Sequence, residues 1–174
     1  MVKRAPSRFN PDLLAREATR FEAELPISQF PRLTEQLLSS EGHVMASFSV
    51  HERKDHNVIR GSLTFEAVMQ CQRCMEPFVT PIQTDFELVC VASQQEADAL
   101  PESLDPVVLD DKGQLHLVDL LEDDALLQLP DIPRHENDAS CQPGEKSFGE
   151  VQETTTTDKP NPFGVLKDLK LSKR

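Results

Sequence analysis

Two arms of alternating apolar and polar residues, Ile59 to Gln70 and Phe78 to Val91, meet at Cys71-Gln72-Arg73-Cys74-Met75-Glu76-Pro77, and this arrangement constrains the chain most. On the first arm Ile59, Leu63, Phe65, Ala67 and Met69 share one parity, and Arg60, Ser62, Thr64, Glu66 and Gln70 take the other, with only Val68 out of step. The second arm sets Phe78, Ile82, Phe86, Leu88 and Cys90 against Gln83, Asp85 and Glu87. A period of two marks half-buried strands, and a short polar link between two of them predicts an antiparallel hairpin. Upstream, Val44, Ala46, Phe48 and Val50 alternate with Met45, Ser47 and Ser49 and predict a further strand. Three such strands suffice for an independent sheet with one covered face.

The remaining segments read as flanking elements. Asn10-Pro11-Asp12 supplies a cap, a first-turn proline and a first-turn acid, and Leu13, Leu14, Glu17, Ala18, Phe21 and Leu25 follow at helical spacing up to Pro26, which predicts one amphipathic helix. Arg16 and Arg20 on its polar face, with Arg4 and Arg8 upstream, make the most cationic patch of the first half, read as a solvated helix face. Thr34 to Leu38 predicts a short second helix before Gly42. Ser93 to Pro106 reads as a loop with a helical turn. Pro106–Leu109 and Gln114–Leu117 read as a small hairpin around Asp110-Asp111-Lys112-Gly113, and Val118 to Leu129 as a third helix stopped by Pro130. The expected fold is therefore α+β: an antiparallel, barrel-like sheet with flanking helices over residues 1–136, then a flexible acidic linker over 137–158 and a basic amphipathic tail over 159–174 that begins a short helix at Asn161-Pro162.

Charge narrows the partners. The formal net charge is −12, and residues 61–158 hold 21 Asp and Glu against 4 Lys and Arg. Such a surface repels phosphates unless a local basic patch overcomes it, which argues against a stand-alone, charge-driven nucleic-acid binder and for a partner with a basic face. Asp119, Glu122, Asp123 and Asp124 read as a solvated acidic helix face offered to such a partner. In the tail, Asn161, Pro162 and Phe163 with Lys167 and Lys170 read as a docking segment, seated either on another molecule or back on the acidic middle. No run of about 18 apolar residues occurs, and Met1-Val2-Lys3-Arg4 leads into polar sequence, so a soluble, cytoplasmic protein without a membrane partner is expected.

The C-x-x-C pair is the strongest chemical signal. Structural zinc takes four ligands, and His135 and Cys141 complete a coherent set with Cys71 and Cys74. Cys90 shares the parity of Phe86 and Leu88 and reads as a core residue; Cys141, in a polar loop, does not. A thioredoxin-like site needs a helix after the motif, whereas Pro77 and a strand follow here. No Ser/His/Asp arrangement or Gly-rich phosphate loop is present, and a hydrolytic site built on Asp119, Glu122 and Asp123 lacks both a basic cleft and a partner histidine. Neither an enzyme nor a small-molecule substrate is expected. The alternative to a binding factor is a small metal-binding or thiol-redox protein using the C-x-x-C pair.

Glu66 followed by Cys71-Gln72-Arg73-Cys74-Met75-Glu76-Pro77-Phe78, Ala97 to Glu102, Leu117-Val118-Asp119-Leu120-Leu121-Glu122-Asp123-Asp124 leading to Leu127-Gln128-Leu129-Pro130, and Lys159-Pro160-Asn161-Pro162-Phe163 stand in an order that resembles the YceD family, the large ribosomal RNA subunit accumulation proteins. The resemblance spans nearly the whole chain. It implies a cytosolic, non-catalytic ribosome-biogenesis factor that supports synthesis, processing or stability of 23S ribosomal RNA. The acidic body and the basic N-terminal and C-terminal segments add the expectation that it binds large-subunit precursors, through the RNA, a basic ribosomal protein, or both. Other members carry several further cysteines after the leucine-rich helix, where this chain has only Cys141.

Overall fold

The long hairpin forms as its alternation dictates. In a computed structural model, which describes residues 2–17, 19–53, 56–136 and 141, strands β5 (His56–Gln70) and β6 (Pro77–Val91) pair antiparallel from Val58↔Val89 to Gln70↔Pro77. The elements before them are β1 (Val2–Arg4), β2 (Arg8–Phe9), α1 (Pro11–Glu17), β3 (Arg20–Pro26), a 3-10 turn (Ile27–Gln29), α2 (Pro31–Gln36) and β4 (His43–Arg53). After the hairpin come α3 (Gln94–Asp98), β7 (Asp105–Val108), β8 (Leu115–His116) and α4 (Leu117–Leu127).

Among the described residues six strands make one sheet in the order β1-β3-β4-β5-β6-β7, and β2 pairs with β8 apart from it. The central pairings are antiparallel, but β1 on β3 and β7 on β6 are parallel. The sheet stays open between β1 and β7, so the expected barrel is not formed. Edge strands of three and four residues are too short to close it.

Alternation decides which side is buried. Val44, Ala46, Phe48 and Val50 of β4 and Ile59, Leu63, Phe65, Ala67 and Met69 of β5 point into one core with Leu33 after Pro31 and Leu117, Leu120, Leu121 and Ala125 of α4. Phe48 stacks on Phe9 and Phe21, with ring centroids 5.4 and 5.6 Å away. On the opposite face Val58, Val89 and Val91 meet Ala97 of α3 in a small separate cluster. Elsewhere that face carries polar and charged residues together with the exposed Met45 and Val79.

Two expected elements differ. The helix expected from Asn10 to Leu25 ends at Glu17, and Arg20–Pro26 is a strand. Phe21 and Leu25 satisfy a helical spacing of four, but with Ala23 they equally satisfy alternation, and pairing with His43–Ser49 decides between the two. The hairpin expected at 106–117 keeps its turn, where Gly113 has φ 68° and Asp110 Oδ1 accepts from Lys112 N and Gln114 N. Its two arms part, however: β7 joins β6, and β8 joins β2. Among the described residues no helix is long and apolar enough to cross a membrane. The expected linker, except Cys141, and the expected tail lie outside the described residues.

Candidate metal centre

The tip of the β5–β6 hairpin is a knuckle built by backbone hydrogen bonds. Cys71 N donates to Glu76 O and Met75 N donates to Cys71 O, each at 2.9 Å. Closing so tight a loop puts Met75 at φ 68°, a region that side chains other than glycine rarely adopt. Gln70 Nε2 donates to Met75 O at 3.1 Å and steadies the strained residue. The knuckle turns amides toward sulfur, and Arg73 N lies 3.5 Å from Cys71 Sγ.

A second segment, leaving α4 through Pro130 and Pro133, crosses the tip. Gln72 N donates to Pro133 O at 2.9 Å, which delivers His135 beside the knuckle. The His135 ring packs on Phe78 with centroids 4.9 Å apart, so the first apolar residue of β6 orients a candidate ligand. Cys74 Sγ lies 3.5 Å from His135 Nδ1, and Cys71 Sγ lies 3.5 Å from Cys141 Sγ. The donor atoms of Cys71, Cys74, His135 and Cys141 all lie within 4.8 Å of one another. The set read from the sequence is thus gathered into one cluster.

The donors fit a tetrahedral ion. Zn–S bonds of about 2.3 Å at tetrahedral angles put sulfurs about 3.7 Å apart, close to the separations found. Cys71 and Cys141 are 0% and 1% exposed, so the expectation that Cys141 is not a buried residue is corrected: meeting Cys71 shields it. Burial pushes the Cys71 thiol up, but the backbone N–H groups of Cys74, Arg73 and His135 and the His135 ring outweigh it and bring it down to about 5. Burial, then hydrogen bonding and charge from Cys71 and Cys74, push Cys141 up to about 11. One thiolate is ready at neutral pH, and the cluster resists a second negative charge unless a cation supplies compensation. Four protein ligands leave a tetrahedral ion no open position, which is the pattern of a structural rather than a catalytic site. Cys90 lies in the core, its thiol pushed up to about 12 by burial and then by Asp12.

The acidic residues of α4 do not form one solvated face. Asp119 and Asp123 are exposed, pairing with His116 at 3.1 Å and Arg32 at 2.7 Å. Glu122, expected to face a partner, is 2% exposed and turned inward. Its Oε1 accepts from Arg32 N at 2.7 Å and Leu33 N at 3.1 Å, and its Oε2 accepts from Arg32 Nε at 2.8 Å. Phe30 offers α2 no capping side chain, so a carboxylate from another helix satisfies the orphan amides. Arg32 was not singled out in the sequence, because no local spacing links it to Glu122. Asp124 is half-buried, and burial, then Asp123 and Asp105, raise its carboxyl to about 6. Asn161, Pro162, Phe163, Lys167 and Lys170 lie outside the described residues.

Comparison with known proteins gives a consistent result. Residues 59–170 match the model of the family described as large ribosomal RNA subunit accumulation protein YceD. The protein of Haemophilus influenzae with that same name is 34% identical over 146 residues, covering 82% of this chain and 83% of its own length. No solved structure matches the chain.

Proposed function

The chain belongs to the YceD family, and from that premise we propose that it is a non-catalytic factor for the accumulation of large-subunit ribosomal RNA, acting in the cytoplasm by binding assembly intermediates of the large subunit. The observation that carries the non-catalytic part is the donor cluster at the hairpin tip. Its four residues come from two segments 61 or more positions apart in the chain, as the pairing of Cys74 with His135 shows, and a shared ion would pin one to the other. Cys71, Cys74, His135 and Cys141 would hold such an ion, which would supply folding energy by cross-linking the two segments. The C-x-x-C pair stands in a turn between strands, not at a helix start, which favours this reading over a thiol-redox protein.

Sedimentation of a lysate on a sucrose gradient tests the proposal. The protein should travel with precursor large subunits, and its depletion should lower mature 23S ribosomal RNA relative to 16S. Absence from every ribosomal fraction would sink it.

A further inference from the structure

The face of the main sheet turned away from α4 changes character along its strands. Toward α3, Arg20, Ser49, Arg60 and Glu87 stand in one cross-strand row, where Glu87 holds Arg60 at 3.0 Å and Arg20 donates to Ser47 Oγ at 2.7 Å. Beyond the row of Glu22, Ser47, Ser62 and Asp85, the rows toward the hairpin tip are Glu24, Met45, Thr64 and Gln83, then Glu66 with Pro81, then Val68 with Val79. Among the described residues these three rows hold no Lys or Arg, and Glu24 and Glu66 meet no cation at ion-pair distance. Met45 and Val79 are 47% and 57% exposed. Leu38, also exposed, is tied to the same edge of β5 by its N–H to Val68 O at 2.8 Å. A depression of about 590 Å³ lies here, lined by Met45, Val68, Val79 and Pro81 together with Glu41 and Glu66. It opens where the β4–β5 ladder ends at Met45↔Thr64, between β5 and the turn that precedes β4.

We infer that this depression docks an extended, lysine- or arginine-rich segment of a protein partner, with its apolar residues against Met45, Val68 and Val79 and its cations against Glu24, Glu41 and Glu66. The inference rests on the reading of the chain as a factor that binds large-subunit intermediates, and it assigns to this face a basic ribosomal protein rather than the RNA. Exposed apolar residues rimmed by charge are the pattern of a protein interface, whereas a phosphate backbone would meet like charge here. The spacing suits an extended chain. Glu24 and Glu66 stand two strands and one row apart, about 12 Å, and cations four residues apart in an extended segment are about 13 Å apart. Apolar contact supplies the holding energy, and the carboxylates supply steering and register. Arg20 and Arg60 repel such a segment and set the limit of the site toward α3.

The full chain and a fluorescent peptide of three Lys-Ser-Val-Ser repeats test this by anisotropy at physiological ionic strength. Glu24→Gln/Glu66→Gln should weaken binding about tenfold, and Met45→Ser/Val79→Ser should do the same with less dependence on salt. Glu102→Gln/Asp111→Asn removes the same charge outside the main sheet and should change affinity by less than about twofold. Equal loss in that control, tighter binding of oligouridine than of the peptide, or no peptide binding at all overturns the assignment. With p-benzoylphenylalanine in place of Val79, illumination should join the chain to the peptide. Products that join the chain only to itself or to a second copy overturn the choice of occupant. Gradient sedimentation separates this from the broader role: a wild-type protein that travels with precursor subunits but ignores the peptide loses the docking surface and keeps the role. Carboxylate-dependent binding by a protein missing from those fractions supports the surface and removes the role alone.

Discussion

Glu122 of α4 holds Arg32 of α2 twice over, by a backbone bond of 2.7 Å and a side-chain bond of 2.8 Å, from a position that is itself buried. One carboxylate thus caps a helix distant in sequence and locks the two helices together. Its removal leaves the amides of Arg32 and Leu33 without acceptors, each costing about 1–3 kcal/mol where water cannot reach. Glu122→Ala should therefore destabilise by about 3 kcal/mol in urea unfolding, and Glu122→Gln by less, because its carbonyl can still accept. Asp123→Ala, at an exposed ion pair, should change stability by about 0.5 kcal/mol. Equal effects for Glu122→Ala and Asp123→Ala would show that the cap contributes little.

Protein purified under reducing conditions should carry one zinc per chain by elemental analysis. Cys71→Ser and Cys141→Ser should lose it, whereas Cys90→Ser, in the core, should keep it. At neutral pH Cys71, lowered to about 5, is already a thiolate, and Cys141, raised to about 11, still holds its proton. Zinc must displace that proton, so Cys141 contributes about a tenfold rise in affinity per pH unit between neutrality and pH 9. For the metal-free protein the signs oppose. Cys71, lowered in the fold, adds stability as pH rises from about 5 to 9; Cys141, raised, removes it between about 9 and 11. Calorimetry in buffers of different ionisation enthalpy should count at least one proton released per zinc at pH 7. A count of zero would contradict the assignment of Cys141 as a ligand.

Asp124 should weaken the fold at neutral pH. Its Oδ2 is buried and has no hydrogen-bond partner among the described residues, and its carboxyl is raised to about 6 from the ordinary 3.8. The folded protein then holds the proton more tightly than the unfolded chain, so stability falls as pH rises from about 4 to 6 and the penalty is complete above that. A shift of this size corresponds to about 3 kcal/mol in a dry site, and solvent access to the half-buried side chain reduces it to about 1 kcal/mol. Asp124→Asn should gain that amount at pH 7 and nothing at pH 3, measured by denaturant midpoints. A gain independent of pH would point to packing instead.

The hairpin, the third helix and the four donors were legible because each rests on local pattern: alternation from Ile59 to Cys90, a leucine-rich run before Pro130, and cysteines whose only well-placed companions are His135 and Cys141. What was not legible depends on contacts that sequence spacing does not encode. Arg20–Pro26 fits two periods, and only β4 selects one. Glu122 reads as surface charge until Arg32 and Leu33 arrive beneath it from 89 or 90 positions away. Arg20, read as part of a cationic helix face, and Arg60, read as a polar position of a strand, become one row only once the register of three strands is known.

Gly61 marks where that register is tightest. A β-carbon there would stand 2.5 Å from Phe86 Cζ, 2.6 Å from Ser47 O and 2.7 Å from Phe48 Cβ. Phe48 and Phe86 are its cross-strand partners on the core face, so glycine leaves the volume their rings fill. Gly61→Ala should cost about 3 kcal/mol, at the upper end for overpacking, because the Ser47 carbonyl belongs to the paired backbone and cannot withdraw without breaking the ladder. Adding Phe86→Leu should recover only part of the loss, since it removes the ring contact and leaves the carbonyl in place. Full rescue by Phe86→Leu would show that β4 yields at Ser47 and that the ring of Phe86, not the backbone, sets the limit.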